Sequence, residues 1–382
     1  MISEKLKQEC CGCGACKQAC PKNAITMIED EKGFLYPSVN TNLCVRCGLC
    51  DKVCGFTVNY AKFDKKPRIF AVKHKDDAVR EASTSGGVFT ALTDAVLAQG
   101  GVIYGAQYDD VFRVFQSRAT DYAKRNCFRG SKYVQSDTEN TYQQAKNDLQ
   151  QGKKVLYSGT PCQIAGLCTF LGKTYDNLIT VDVLCHGVPS PKLWREFLCI
   201  IEKKAKARIS SVNFRDKSQG WSNSGRLVFS YKERNANIWG ENSYNTLFLK
   251  NIILRDSCYA CQFRSYTRPS DITIADFWGI KINAPKFHDE KGVSLVMINT
   301  IKGQRLFDEI SEQIISEERS CADCRKDQIT GKVKKGEQLE AFWDCYFKKG
   351  LKKALLGYTE FSMTKTYFNK ILRRIVRMLK RA

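Results

Sequence analysis

The run Cys10-x2-Cys13-x2-Cys16-x3-Cys20, followed by Pro21, recurs as Cys44-x2-Cys47-x2-Cys50-x3-Cys54, with Gly55 where the proline stood. Three cysteines at i, i+3 and i+6 wrap a tight loop around one corner of a cubane, and the fourth points across to a partner cluster. The spacing therefore predicts two [4Fe–4S] clusters in a ferredoxin-like segment. One is expected on Cys10, Cys13, Cys16 and Cys54, the other on Cys44, Cys47, Cys50 and Cys20. Structural zinc favours two separated C-x2-C pairs, and a third cysteine two residues further on has no tetrahedral role. Cys11 breaks no spacing and reads as a spare thiol.

The rest of the composition narrows the setting. Of 19 cysteines in 382 residues, nine precede residue 55, and the opening Met1–Lys7 lacks an apolar signal core. A disulfide framework would suit a shorter, exported chain, so a reducing, cytoplasmic setting is expected. No apolar window is long enough to span a bilayer. The formal charge of +21 falls when clusters load, because each thiolate-ligated cubane carries about −2. The remainder could attract acidic proteins, nucleic acid or an anionic surface, and charge alone does not choose.

After a connector containing Lys65-Lys66-Pro67, the pattern changes from Ile69 to alternating helices and strands. Gly100-Gly101 stops a helix that follows Ser85-Gly86-Gly87, and Lys154–Tyr157, Asn177–Leu184, Asp271–Phe277 and Ser294–Thr300 read as strands. The alternation predicts an α/β (α+β) fold in which a ferredoxin-type domain precedes a mixed-sheet core and a helical, basic tail. Boundaries are expected at 1–58 for the ferredoxin-like domain, 66–150 and 151–325 for two parts of the core, and 326–382 for the tail.

Four further cysteines stand at suggestive places. Cys162 opens a helix after the turn Gly159-Thr160-Pro161, where a helix N-terminus favours a thiolate. Cys185 ends a strand, and Cys258 and Cys261 form a C-x2-C pair after a helix expected over Thr246–Arg255. They could converge on a third cubane; spacing alone leaves buried single thiols or a zinc site equally open. Cys127, Cys168, Cys199 and Cys345 read as buried single thiols, and Cys321/Cys324 as a coincidental pair ahead of a dithiol or half of a metal site. His186 reads as a histidine bonded to the backbone.

The chain resembles the coenzyme F420 hydrogenase/dehydrogenase β-subunit family. The resemblance is carried by Ser83-Thr-Ser-Gly-Gly87, Gly130-Ser-Lys-Tyr-Val-Gln135, Ser158-Gly-Thr-Pro-Cys-Gln163, Cys185-His-Gly-Val-Pro189, Phe214-Arg-Asp-Lys217, Cys258-Tyr-Ala-Cys261 and Ser270–Gly279. It implies FAD beside a third [4Fe–4S] cluster on Cys162, Cys185, Cys258 and Cys261. It further implies that Ser85, Gly86, Gly87, Lys132, Tyr133, Gly159, Thr160 and Gln163 lie against the flavin. By residue type alone, Ser85–Gly87 would be a helix cap and Lys132 a solvated lysine. Asp276 ends a strand, where it could face flavin or substrate as a catalytic group, or simply satisfy a turn.

From Phe361 onward seven basic and no acidic residues punctuate an apolar stripe. Such a basic amphipathic helix suits its own domain, an acidic partner or peripheral contact with an inner membrane surface. Elsewhere the basic residues are scattered, so nucleic acid is not an expected partner. The expectation is a flavin-dependent iron–sulfur oxidoreductase that links ferredoxin or another redox protein to an unnamed small-molecule substrate. The alternative is a non-catalytic electron-transfer subunit of a larger complex.

Overall fold

The structure is a computed structural model and describes residues 2, 5–58, 66–232, 234–238 and 242–361. The basic tail expected from Phe361 lies outside these residues but for Phe361 itself. Among the described residues no helix is long and apolar enough to cross a membrane.

The ferredoxin-like segment is built on a hairpin, β1 (Ile25–Glu29) and β2 (Leu35–Val39), paired antiparallel from Ile25↔Val39. Two short helices, Ala15–Ala19 and Leu49–Lys52, start from Gly14 and Gly48, whose φ values of 73° and 71° are nearly equal. A residue with a Cβ is strained in that left-handed region, so each half of the cysteine repeat needs glycine immediately after its second cysteine.

The core is one eight-stranded mixed sheet in the order β13-β3-β12-β11-β7-β6-β4-β5. In chain order its strands are β3 (Arg68–His74), β4 (Val102–Tyr108), β5 (Val114–Ala119), β6 (Val155–Gly159), β7 (Leu178–Val183), β11 (Ile272–Asp276), β12 (Ser294–Ile298) and β13 (Ile314–Arg319). The inner strands β11, β7, β6 and β4 run parallel, and the flanking pairs are antiparallel. This is the mixed α/β sheet expected, and it draws strands from both sides of residue 150. Buried runs such as Leu178–Asp182 and Ser294–Ile298 suit strands covered on both faces. β8 (Ile209–Asn213), β9 (Val228–Tyr231) and β10 (Arg234–Ile238) make a separate three-stranded sheet.

Helices Val88–Ala98 and Ile301–Glu309 share an apolar core with one face of the large sheet through Leu92, Val96, Leu306 and Phe307. A second core joins Thr141–Gln150 and Pro161–Leu171 to the sheet, and Cys11, Cys13 and Val53 of the ferredoxin-like segment belong to it. The docking is close. A Cβ on Gly55 would stand 2.5 Å from the Ala165 carbonyl carbon, and Thr169 Oγ1 donates to Val53 O at 2.7 Å. Of the expected helix Thr246–Arg255 only the start is helical, within Ser243–Leu249, and a separate short helix follows at Asp256–Tyr259. Between them Leu254 bridges to Pro189, which pulls the chain out of helical geometry. Cys127 and Cys199 are exposed and Cys168 and Cys345 half-buried, because each lies on or near a helix face turned partly to solvent.

Candidate metal centres

Because β4, β6, β7 and β11 are parallel, their C-terminal ends emerge at one rim, the edge where open α/β sheets place ligands. β6 ends at Gly159, and Thr160 then caps the helix that carries Cys162. β7 ends at Val183, two residues before Cys185, and β11 ends at Asp276. β12 begins at the same rim, with Ser294 opposite Asp276. The Ser85–Gly87 turn closes against it: Gly86 N–H donates to Ser294 Oγ at 2.9 Å and Ser85 Oγ to Val293 O at 2.7 Å.

Cys162, Cys185, Cys258 and Cys261 line one small cavity of about 30 Å³, whose wall also includes Cys11, His186, Arg255 and Arg264. Cys11, outside the cluster spacing, is buried and meets both the Cys13 and the Cys162 thiols. Burial pushes Cys185 up to about 12 and Cys261 up to about 11. Such thiols are protonated near neutrality and make poor nucleophiles, so their chemistry awaits a cation that displaces the proton. Val188 N–H already points at Cys258 Sγ, 3.4 Å away, the kind of contact that orients and tunes a metal-bound sulfur. A donor set of thiols alone, ringed by backbone N–H groups, fits a cubane in its chemistry. Among the described residues no three His, Cys, Asp or Glu groups converge tightly enough to hold a single metal ion.

In the ferredoxin-like segment a larger cavity, about 350 Å³, is lined by Cys20, Cys44, Cys47 and Cys50. That grouping unites one cysteine of the first run with three of the second. Ala24 N–H donates to Cys20 Sγ at 3.3 Å. Cys16 lies close enough to Cys10 and Cys54 to feel their charge, although burial is the larger reason its thiol is pushed up to about 12. Lys5 Nζ donates to Cys54 Sγ at 3.2 Å. The Cys13 sulfur packs on Gly166 of the helix Pro161–Leu171, 2.7 Å from where a Cβ would stand. The first-run site therefore faces the core, and the other faces outward, with Cys47 exposed.

Residues 9–58 match the 4Fe-4S dicluster domain, and residues 152–323 match the C-terminal part of the coenzyme F420 hydrogenase/dehydrogenase beta subunit. Through its matched core segment the chain is related to the coenzyme F420 hydrogenase/dehydrogenase β-subunit family. Among solved structures, a chain of the F420-reducing [NiFe] hydrogenase complex from Methanosarcina barkeri is similar at 16% identity and a TM-score of 0.48. The similarity covers 76% of this chain and 96% of that one. No curated protein matches the chain. This β-subunit relative is thus an iron–sulfur electron-transfer protein of an oxidoreductase family.

In this β-subunit relative, the residues expected to hold a flavin lie along or beside the same rim, but their polar atoms are engaged within the protein. Gln163 and Thr160 form a reciprocal capping box, Thr160 N–H donating to Gln163 Oε1 at 3.0 Å while Gln163 Nε2 reaches Ser136 Oγ at 2.9 Å. Gly159 leads into that cap, where a Cβ would stand 3.1 Å from Gln163 Oε1. Gly86 has no room for a side chain, since a Cβ would lie 2.2 Å from Val72 O, and Gly87 starts a helix at φ 90°. Lys132 is no solvated cation: its ammonium donates to Phe128 O, Arg129 O and Gly130 O. Tyr133 stacks on Phe248 with ring centroids 4.8 Å apart.

Asp276 is clamped by two groups that sequence reasoning did not single out. Arg215 Nη1 donates to its Oδ2 at 2.5 Å, and Trp221 Nε1 to its Oδ1 at 2.9 Å. Trp221 and Trp278 stack 5.0 Å apart beside that pair, and Arg215 lies 5.1 Å over Trp278. His186 bonds the Asn251 side chain at 2.6 Å rather than the backbone. The signal for Arg215 was present in Phe214-Arg-Asp-Lys217; none existed for Trp221, which lies 55 residues from Asp276.

Proposed function

We propose that this chain is an iron–sulfur flavoprotein that moves electrons from a one-electron carrier, through its two ferredoxin-type clusters and a third cluster on Cys162, Cys185, Cys258 and Cys261, to FAD and a two-electron organic substrate. The observation that carries the reading is adjacency. Cys10 belongs to the inner ferredoxin-type site, and Cys11, the next residue, lines the core cavity with the four core cysteines. Relays of this kind need their centres close together and dry, and the buried thiols of the second core supply both. Clusters pass single electrons, whereas a bound flavin also accepts or delivers pairs, so it would join the two regimes. Ser85, Gly86, Gly87, Lys132, Tyr133, Gly159, Thr160 and Gln163 would form its walls, and Asp276, fixed by Arg215 and Trp221, would face the reacting edge.

One observation favours a second reading, an electron-transfer subunit without its own flavin. The polar atoms of Lys132, Thr160, Gln163 and Asp276 are all satisfied within the protein. Anaerobic purification followed by iron, labile sulfide and released-flavin analysis separates the two. About twelve irons and one FAD per chain support the flavoenzyme; about eight irons without flavin leave the electron-transfer reading.

A further inference from the structure

Arg255 is fully buried, with 0% of its surface exposed. It sits where the ferredoxin-like segment meets the core. Nε donates to Cys10 O at 2.8 Å, Nη2 to Leu35 O at 2.9 Å, and Nη1 to Gln135 Oε1 at 3.1 Å. Nη2 also lies 3.6 Å from Cys10 Sγ. The guanidinium stacks 4.1 Å over Tyr36, and its side chain lines the cavity of the core cysteines. Gly12 is held at φ 69° beneath it, and a Cβ there would stand 2.8 Å from Nη1.

Every hydrogen-bond partner of this cation is neutral except, once ionised, the sulfur. Among the described residues no carboxylate pairs with it. A buried charge without a counter-charge costs several kcal/mol and is retained only where an anion answers it. The anions this site can offer are thiolate-ligated clusters, one on Cys10 and its partners and, if the reading above holds, one in the core cavity that Arg255 also lines.

We infer that Arg255 is a positioning residue that serves as the shared counter-cation of the inner ferredoxin-type cluster and the core cluster, holding their reduction potentials up relative to the outer cluster. A fixed positive charge stabilises the more negative, reduced form of each neighbouring cluster, and a low-dielectric setting enlarges the effect. The core part of the inference rests on the proposed function; the Cys10 part does not. The wild-type iron count reads the first separately.

The experiment is an EPR-monitored redox titration of the full-length protein as wild type, Arg255→Gln and Arg255→Lys, with iron and sulfide measured on each. The expected result is a more negative midpoint for the inner cluster in Arg255→Gln, near-wild-type behaviour in Arg255→Lys, and an unmoved midpoint for the outer cluster. Should Arg255→Gln lose the inner iron while Arg255→Lys keeps it at the wild-type potential, charge is again the property required. Full iron with unchanged midpoints in Arg255→Gln overturns the inference. So does equal iron loss in both variants, which would assign Arg255 a purely shape-dependent role.

Discussion

The buried Cys11 thiol meets the thiol of Cys162, joining the first cysteine run to the N-terminus of a core helix 151 residues away in sequence. This contact places the inner ferredoxin-type site beside the core cavity. Cys11→Ala should leave iron near its wild-type level, because the cluster spacing does not use this residue. Cys162→Ala should lower iron by about four per chain and spare the dicluster domain. Iron and sulfide analysis of both variants checks this; equal losses would mean that Cys11 is itself a ligand.

Gly55→Ala should loosen the ferredoxin-like segment. The added Cβ would fall 2.5 Å from Ala165 C and 2.8 Å from Gly166 N, both backbone atoms that cannot rotate away. A cost of about 1–3 kcal/mol is expected, typical of overpacking against a rigid neighbour. Urea unfolding followed by tryptophan fluorescence and by cluster absorbance reads it, and an unchanged midpoint would contradict the packing described.

Asp148 gives the fold an acid-sensitive contact. Burial alone would raise its carboxyl, but hydrogen bonds from Arg118, Tyr104 and Lys153 outweigh that and bring it down to about 2 from an ordinary 3.8. A depressed carboxyl contributes stability that is complete above its unfolded value and is lost as pH falls through the folded one. Wild type should therefore lose on the order of 2 kcal/mol between about pH 4 and pH 2 from this group. Asp148→Asn should flatten that stretch of the stability–pH curve.

Arg268 and Asp182 form a buried ion pair at 3.1 Å, and Arg268 Nη2 also donates to Val183 O at 3.0 Å, tying the loop after Cys261 to the end of β7. Arg268→Met leaves Asp182 buried without its counter-charge, only the Thr273 and Ser270 side chains still bonding it, at a cost of about 3–5 kcal/mol. Denaturant titration should show the loss. Iron analysis should show the core site emptying before the dicluster domain does.

The cysteine runs were legible in the sequence because their chemistry is local. The tight loop and the glycine after each second cysteine are both set within a dozen residues. The alternation that predicts a mixed α/β core was legible for the same reason, since strand burial and helix stops are written in adjacent side chains. What only the tertiary structure decided was which of those elements share a rim. β11 pairs with β7 although helices and a separate three-stranded sheet intervene in the chain, and with β6 beside β7 that pairing gathers Cys162, Cys185 and Asp276 at one edge. Arg255, Trp221 and Cys11 carried no pattern of their own; their significance comes from neighbours 55 to 245 residues away. A buried cation or an adjacent thiol acquires meaning only from the charge and packing around it, and those exist only once the chain has folded.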